Sequence, residues 1–184
     1  MNFVIFDTET TGLLQPENSD LTMQPKIIEF YGVRLDEEFQ IQDEFESLIS
    51  PNEPISSEIS SITKITNDML EGKPSFDDVH EDISRLMHGV DLAVAHNIAF
   101  DNGMLDVEYR RLDKPAPMAL KNLCTVEATM GMTGYRLSLT RLHWILFQTQ
   151  FAAHRAKDDV HALVRCFHQL TENGVIDLNE YNSN

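Results

Sequence analysis

The chain is poor in cysteine and in bases, and it contains no long apolar run. Only Cys124 and Cys166 are cysteines among 184 residues. They stand alone, without the spacing of a thiolate metal site, and are expected as buried free thiols in a reducing cytosol. No segment approaches the roughly 18 apolar residues that cross a bilayer, so no membrane partner is expected. The chain enters an apolar run at its third residue, with no charged-then-apolar leader. No secretory signal is therefore expected, and the expected location is cytoplasmic. Internal repeats and low-complexity stretches are missing too. The length fits one domain with a sizeable core. Its expected bounds are residues 1–175, followed by a short C-terminal tail over 176–184.

Bases are outnumbered by acids, 14 to 30, for a formal charge of −16. That scarcity argues against a broad grip on any polyanion. The distribution is uneven, however. Residues 1–108 carry a net −18 and residues 109–171 a net +5. Such asymmetry allows a small phosphate-binding face on an acidic body. Ordinary solvated helix faces would give the same count.

What is present is concentrated in three places. The first is Phe3-Val4-Ile5-Phe6-Asp7-Thr8-Glu9-Thr10-Thr11-Gly12. A short apolar run closed by a Gly turn reads as a buried strand. Alternate residues of a strand share a face, so Asp7 and Glu9 project together. Two carboxylates held that close repel unless a cation lies between them, and hard oxygen ligands suit Mg2+ or Mn2+. The second place is Leu92-Ala93-Val94-Ala95-His96-Asn97-Ile98-Ala99-Phe100-Asp101, a strand followed by an acid at the start of an amphipathic stretch. The third is His154-Arg155-Ala156-Lys157-Asp158-Asp159, which opens a helical pattern.

Between these places the periodicity predicts strands at about 2–8, 26–35, 39–49 and 91–95. It predicts helices at about 67–71, 75–88, 99–112, 125–130, 138–147 and 157–170. Strands first, then alternating helices and strands, imply an α/β sheet with helices on its faces. The polar segment 14–25 is expected to form a mobile rim beside the first strand.

Asp7-Thr8-Glu9-Thr10-Thr11-Gly12, His96 through Asp101, and His154 followed five residues later by Asp159 together resemble the DEDDh 3′–5′ exonuclease superfamily. The chain is most similar to the proofreading epsilon subunit of bacterial DNA polymerase III and to stand-alone relatives. Weaker echoes are Lys26-Ile27-Ile28-Glu29-Phe30 and Ile62 through Leu70. The resemblance implies a ribonuclease H-like fold with a mixed five-stranded sheet and helices on both faces. It implies removal of nucleotides from the 3′ end of single-stranded or frayed DNA, with release of 5′-mononucleotides. Short RNA is the alternative substrate. It further implies two divalent cations, Mg2+ or Mn2+, held by Asp7, Glu9, Asp101 and Asp159, with His154 as general base. A polymerase partner is possible in this family, and nothing in the chain indicates one.

Spacing constrains the base. Five residues of helix rotate by about 500°, which puts His154 about 140° away from Asp159. His154 therefore belongs in the loop before the helix. Asp158 is an alternative to Asp159 on local grounds. Substrate contacts are expected from the turn Thr10-Thr11-Gly12-Leu13, from Asn97, and from Phe100, which could equally face the core. Lys64 stands with Thr63 where close relatives carry His-Gly, and a phosphate contact is expected from it. His96 is expected to hold its loop by hydrogen bonds. An aspartyl-phosphate phosphatase also begins with a similar strand, but its second acid is Asp where this chain has Glu9. A non-catalytic nucleic-acid-binding subunit would not need all of Asp7, Glu9, Asp101, His154 and Asp159, which are present.

Overall fold

The computed structural model of the protein describes residues 1–16 and 19–181. Its centre is a mixed five-stranded sheet in the order β3-β2-β1-β4-β5. Strand β1 (Phe3–Thr10) pairs antiparallel with β2 (Ile27–Leu35), which pairs antiparallel with β3 (Ile41–Leu48). On its other side β1 runs parallel to β4 (Leu92–Ala95), and β4 runs parallel to β5 (Lys121–Cys124).

The apolar opening of β1 is buried on both sides, which is why it reads as a continuous run rather than an alternation. Phe3 and Ile5 join a core with helices α7 (Leu139–Phe147) and α8 (Ala156–Glu172). Val4 and Phe6 join a second core with α3 (Phe76–Met87) and α4 (Ile98–Arg111). Asp7 and Glu9 continue the parity of Phe3 and Ile5, and so lie on the α8 side. The β2–β3 hairpin turns at the acidic run Asp36-Glu37-Glu38. Asp36 Oδ1 accepts the N–H groups of Glu38 and Gln40 at 3.1 and 2.9 Å, an Asp-centred turn. At the start of α3, Asp78 Oδ2 accepts both the N–H and the hydroxyl of Ser75.

Two elements fall outside the sequence expectation. Helix α1 (Ser57–Thr63) forms within the Pro/Ser-rich connection, capped by Ser56, whose hydroxyl accepts from Ile59 N at 3.2 Å. Only Thr63 of this helix is buried, so no apolar stripe announces it. Strand β5 buries only Leu123, too little for a periodic signal. The helix expected over 125–130 is two short pieces, α5 (Thr125–Ala128) and α6 (Met130–Thr133), and α2 is Asn67–Leu70.

The expected tail does not separate from the domain in the packing. Ile176 is buried in the core of α7 and α8, and Leu178–Tyr181 forms a 3-10 turn against it. Residues 182–184 lie outside the described residues. The rim segment is tied down rather than loose. Arg111 donates to the carbonyls of Pro25, Leu21 and Gln24 at 3.0, 2.9 and 2.7 Å. Gln24 Nε2 donates to Gln15 O at 3.1 Å. Leu14 packs over α4 where Gly103 leaves room, and a Cβ there would lie 2.6 Å from the Leu14 side chain. Residues 17–18 of the rim are outside the described residues. Cys166 is buried, which pushes its thiol up to about 12, and Cys124 is half-buried; both are free. No helix among the described residues is long and apolar enough to cross a membrane.

Candidate active site

The site forms where β1 outruns β4. Their pairing covers only Phe3, Ile5 and the residue between. Beyond it, β4 ends at Ala95 and the chain turns into α4, which carries Asp101 in its first turn. Asp101 takes up the hydrogen bonding that a longer β4 would have supplied. Its Oδ1 accepts the N–H of Thr8 at 3.1 Å and the Thr8 hydroxyl at 2.8 Å. This crevice at the carboxyl ends of parallel strands is where open α/β sheets place their ligands.

A cavity of about 220 Å³ there is lined by Asp7, Thr8, Glu9, His96, Phe100, Asp101, Leu139, His154 and Asp159. Carboxylate oxygens of Asp7, Glu9 and Asp159 all lie within 4.8 Å of one another. Asp101 lines the same cavity but stands outside that inner group of three, its carboxylate engaged by Thr8. All four carboxyls are pushed above the usual carboxylate range. Burial is the largest cause for Asp7, followed by the charges of Asp101, Asp159 and Glu9. Burial and then Asp159 raise Glu9 to about 8. Burial raises Asp101 against the two Thr8 hydrogen bonds. Burial raises Asp159 to about 6 against the N–H of His154. A cluster that repels itself this way, made only of hard oxygen donors, fits divalent cations of the Mg2+ or Mn2+ type.

His154 lies in the bend before α8, as the five-residue spacing requires, with φ at +73°. Its N–H donates to Asp159 Oδ2 at 2.8 Å, and the N–H of Arg155 donates to the same oxygen at 3.2 Å. Asp159 thus has one oxygen tied to the loop and the other left for the cavity. Its neighbour Asp158 is exposed and does not line the cavity.

An acid outside the expected site holds this loop in place. Glu29, opposite Glu9 in the sheet, is 1% exposed. It accepts Arg155 Nε at 3.0 and 3.1 Å, Arg155 Nη2 at 2.6 Å and the N–H of Ala156 at 2.9 Å. The signal was a lone acid in an otherwise apolar strand, since a buried Glu needs a partner. Its partner lies 126 residues away, beyond any local pattern.

The expected substrate residues separate into two groups. Phe100 lines the cavity while packing against the α3–α4 core, so it stands at the cavity wall and faces the core at once. Thr10 turns inward and its hydroxyl donates to Gly12 O at 2.7 Å. The N–H of Thr11 is taken by Lys26 O at 2.9 Å and is not free for a ligand. Gly12 has no left-handed backbone, and a Cβ there would meet only Pro25 at 3.9 Å, so packing does not demand a glycine. Leu13 is 76% exposed beside the turn. Asn97, at φ +88°, points outward and accepts Arg136 Nη2 at 3.1 Å.

Lys64 is not brought to the cavity. It ends α1 in a left-handed conformation, and its Nζ donates back to Ser61 O at 2.5 Å. His96 holds the loop as expected, with Nδ1 2.9 Å from Thr125 Oγ1 and Nε2 3.0 Å from Leu137 O. Burial pushes its pKa down. The neutral ring then donates from Nε2 and accepts at Nδ1.

Most bases of the supposed basic face are already paired, within the fold or at its surface. Arg111 pairs with Glu108, Arg155 with Glu29, Lys157 with Glu46 and Arg110 with Asp106. Lys114 meets His80, Lys121 meets Glu180 O, and Arg165 meets His143. Arg136 and Arg141 have no carboxylate partner among the described residues.

A family model described as Exonuclease (RNase_T) matches residues 4–167. The DNA polymerase III subunit epsilon of Treponema pallidum (strain Nichols) is 37% identical over 183 residues, covering 94% of this chain and 80% of that protein. PolC-type DNA polymerase III proteins of Staphylococcus aureus are 30–31% identical over 192 residues, and this chain spans only 12% of their length. Among solved structures, the nuclease domain of 3′hExo, a DEDDh family member bound to rAMP, superposes with a TM-score of 0.76 at 19% identity. The match covers 95% of this chain and 93% of that one. Exonuclease X in complex with 5′-overhanging duplex DNA gives 0.67 at 23% identity, over 94% and 93%.

Proposed function

Because the chain belongs to the RNase_T exonuclease family and is by that membership a 3′–5′ exonuclease, we propose that it removes 5′-mononucleotides from the 3′ end of single-stranded or frayed DNA. The observation that carries this reading is the cluster of Asp7, Glu9 and Asp159 oxygens within 4.8 Å, with His154 at the wall of the same cavity. The likeness to an epsilon subunit along nearly the whole chain supports DNA as the strand.

Asp7, Glu9 and Asp159 would hold the divalent cations, with Asp101 as the fourth acid. Four carboxylates carry −4, which two divalent cations balance before any phosphate arrives. When bound, such a pair acidifies a water and neutralises the charge that develops on the phosphate and the leaving oxygen. The protein's own share is alignment. Thr8 fixes Asp101 by two hydrogen bonds, so that acid cannot swing away from the crevice. Glu29 and Arg155 fix the loop before α8. That loop presents His154 to take the proton of the attacking water, while its backbone N–H keeps Asp159 aimed at Asp7 and Glu9. Phe100 offers an aromatic face to the terminal nucleotide. The turn at Gly12 and Leu13, which follows Glu9 and Thr10 closely in the chain, would meet the 3′-hydroxyl.

Hydrolysis of 5′-labelled single-stranded DNA and of RNA of equal sequence, with Mg2+, Mn2+ or EDTA, tests the reading. Stepwise shortening of the DNA that stops in EDTA supports it. Faster loss of RNA would move the assignment to short RNA.

A further inference from the structure

A groove lies on the outer face of α7, the helix whose first residue, Leu139, lines the catalytic cavity. It encloses about 420 Å³ between α7 and the loop leading to His154, and it is lined by Thr140, Arg141, Trp144, Gln150 and Phe151. That volume falls in the range of small-molecule sites. Thr140, Arg141 and Trp144 share one helix face, being three and four residues apart. Leu139, the residue before Thr140, lines the catalytic cavity, and Phe151 lies three residues before His154. Both walls of the groove are therefore near neighbours along the chain of residues that line the site.

The walls are held. His96 Nε2 bonds to Leu137 O and fixes the start of α7 to the end of β4. His143 is buried, bonds through Nδ1 to Thr149 O at 3.0 Å, and packs on Phe151 with ring centroids 5.1 Å apart. Against this fixed frame, Trp144 is 42% exposed. The Arg141 guanidinium lies over its ring, 4.7 Å from the centroid. Arg141 has no carboxylate partner among the described residues, and neither has Arg136, three residues before α7.

We propose that this groove is a second nucleotide subsite, in which a base of the substrate strand stacks on Trp144 while Arg141 meets a backbone phosphate. The chemistry favours this occupant. An aromatic face beside an unpaired guanidinium is how single strands are held without sequence readout. Gln150 adds a donor and an acceptor at the rim. The subsite extends the exonuclease reading and rests on it for the identity of the strand. The 3′ nucleotide occupies the carboxylate cavity, and a nucleotide further along the strand reaches α7.

Trp144 is the only tryptophan of the chain, so its emission reports on the groove directly. The probe is thymidylate, as the 5′-mononucleotide and as oligomers of about two to eight nucleotides, with Mg2+ and His154→Asn so that the strand persists. The longer oligomers should quench Trp144, and the mononucleotide and dinucleotide should not. In the active protein, Trp144→Ala should lower kcat/KM on the octamer by about 5- to 150-fold, the scale of one lost base–aromatic stack. The loss should appear in KM, with hydrolysis of the dinucleotide unchanged. Trp144→Phe should restore most of it. An unquenched Trp144 with every oligomer overturns the subsite, and so does an equal loss on dinucleotide and octamer, which marks a structural role. Wild-type protein that cleaves neither substrate overturns the exonuclease reading instead, while the fluorescence arm still decides the groove.

Discussion

The backbone N–H of His154 donates to the carboxylate of Asp159 at 2.8 Å, so the acid that faces the cation site also sets the loop that carries the base. Spacing separates the two residues on the helix, and this bond rejoins them outside it. His154 adopts a left-handed backbone, and the donated N–H needs no side chain. Base and scaffold are thus separable at one residue.

Replacing His154 by Ala should lower turnover roughly 100-fold or more, the usual scale for a lost general base, with KM little changed. Alanine is strained at positive φ, whereas Asn tolerates it. His154→Asn should therefore lose the same activity with less effect on the melting temperature. Turnover near wild type across pH 6–9 in both variants would remove His154 from the chemistry.

Glu29→Ala should destabilise the protein by about 2–4 kcal/mol. That lies toward the lower part of the range for breaking a buried pair, because Arg155 still reaches solvent. Arg155→Ala leaves Glu29 buried with only the Ala156 N–H as partner, and should also be destabilising. Both should lower kcat more than they change KM, since they release the loop of His154. Urea unfolding with paired kinetics checks this. Full activity of either variant would mean that the loop holds itself.

The raised carboxyls set a pH dependence for the cation-free protein. A group whose folded pKa lies above its unfolded value binds more protons when folded. Its stabilising contribution is complete below the unfolded pKa and is lost as pH rises through the folded one. Asp159 near 6 and Glu9 near 8 therefore make stability in EDTA fall between about pH 4 and 8. Glu9→Gln should flatten that slope and be more stable than wild type at pH 8, by about 1–3 kcal/mol. Added Mg2+ or Mn2+ should raise the wild-type melting temperature much more than that of Glu9→Gln. A wild-type curve in EDTA as flat as that of the variant would show that the cluster does not repel itself.

Legibility in the sequence followed the range of the interaction. Asp7 and Glu9 could be placed on one face from strand alternation alone, and His154 could be excluded from α8 by counting residues. The hairpin at Asp36 and the start of α3 at Ser75 are likewise local. What could not be read is long-range. Thr8 meets Asp101 across 93 residues, and Glu29 meets Arg155 across 126. Charge counting failed for the same reason. A net of +5 over residues 109–171 suggests a basic face, yet Arg155 and Lys157 neutralise Glu29 and Glu46, acids brought from other parts of the chain. Lys64 was drawn toward the substrate by its place in a motif, and the end of α1 turns it back on Ser61.

Asp7→Asn and Asp159→Ala should each abolish hydrolysis. Asp7→Asn removes a charge from the repulsive cluster, so in EDTA it should melt no lower than wild type. Asp159→Ala also strips the acceptor from the His154 and Arg155 N–H groups, so its loop should loosen even where the fold survives. Asp158→Ala should stay active, and loss of its activity would move the site acid of α8 from Asp159 to that position. Melting in EDTA and hydrolysis in Mn2+ read both effects.

Directionality at a 3′ end tests the central claim most directly. Linear single-stranded DNA labelled at its 5′ end should shorten one nucleotide at a time in Mg2+ or Mn2+, releasing 5′-mononucleotides. A 3′-phosphate should block the reaction, a 5′ block should not, and Asp7→Asn should leave the strand intact. Paired ends must first open, at about 1–2 kcal/mol per base-pair step, so mismatched 3′ ends should be trimmed faster than paired ones. A circular single strand of the same sequence should survive. Cutting of the circle, or shortening that proceeds equally in EDTA, would contradict a cation-dependent 3′–5′ exonuclease built on Asp7, Glu9 and Asp159.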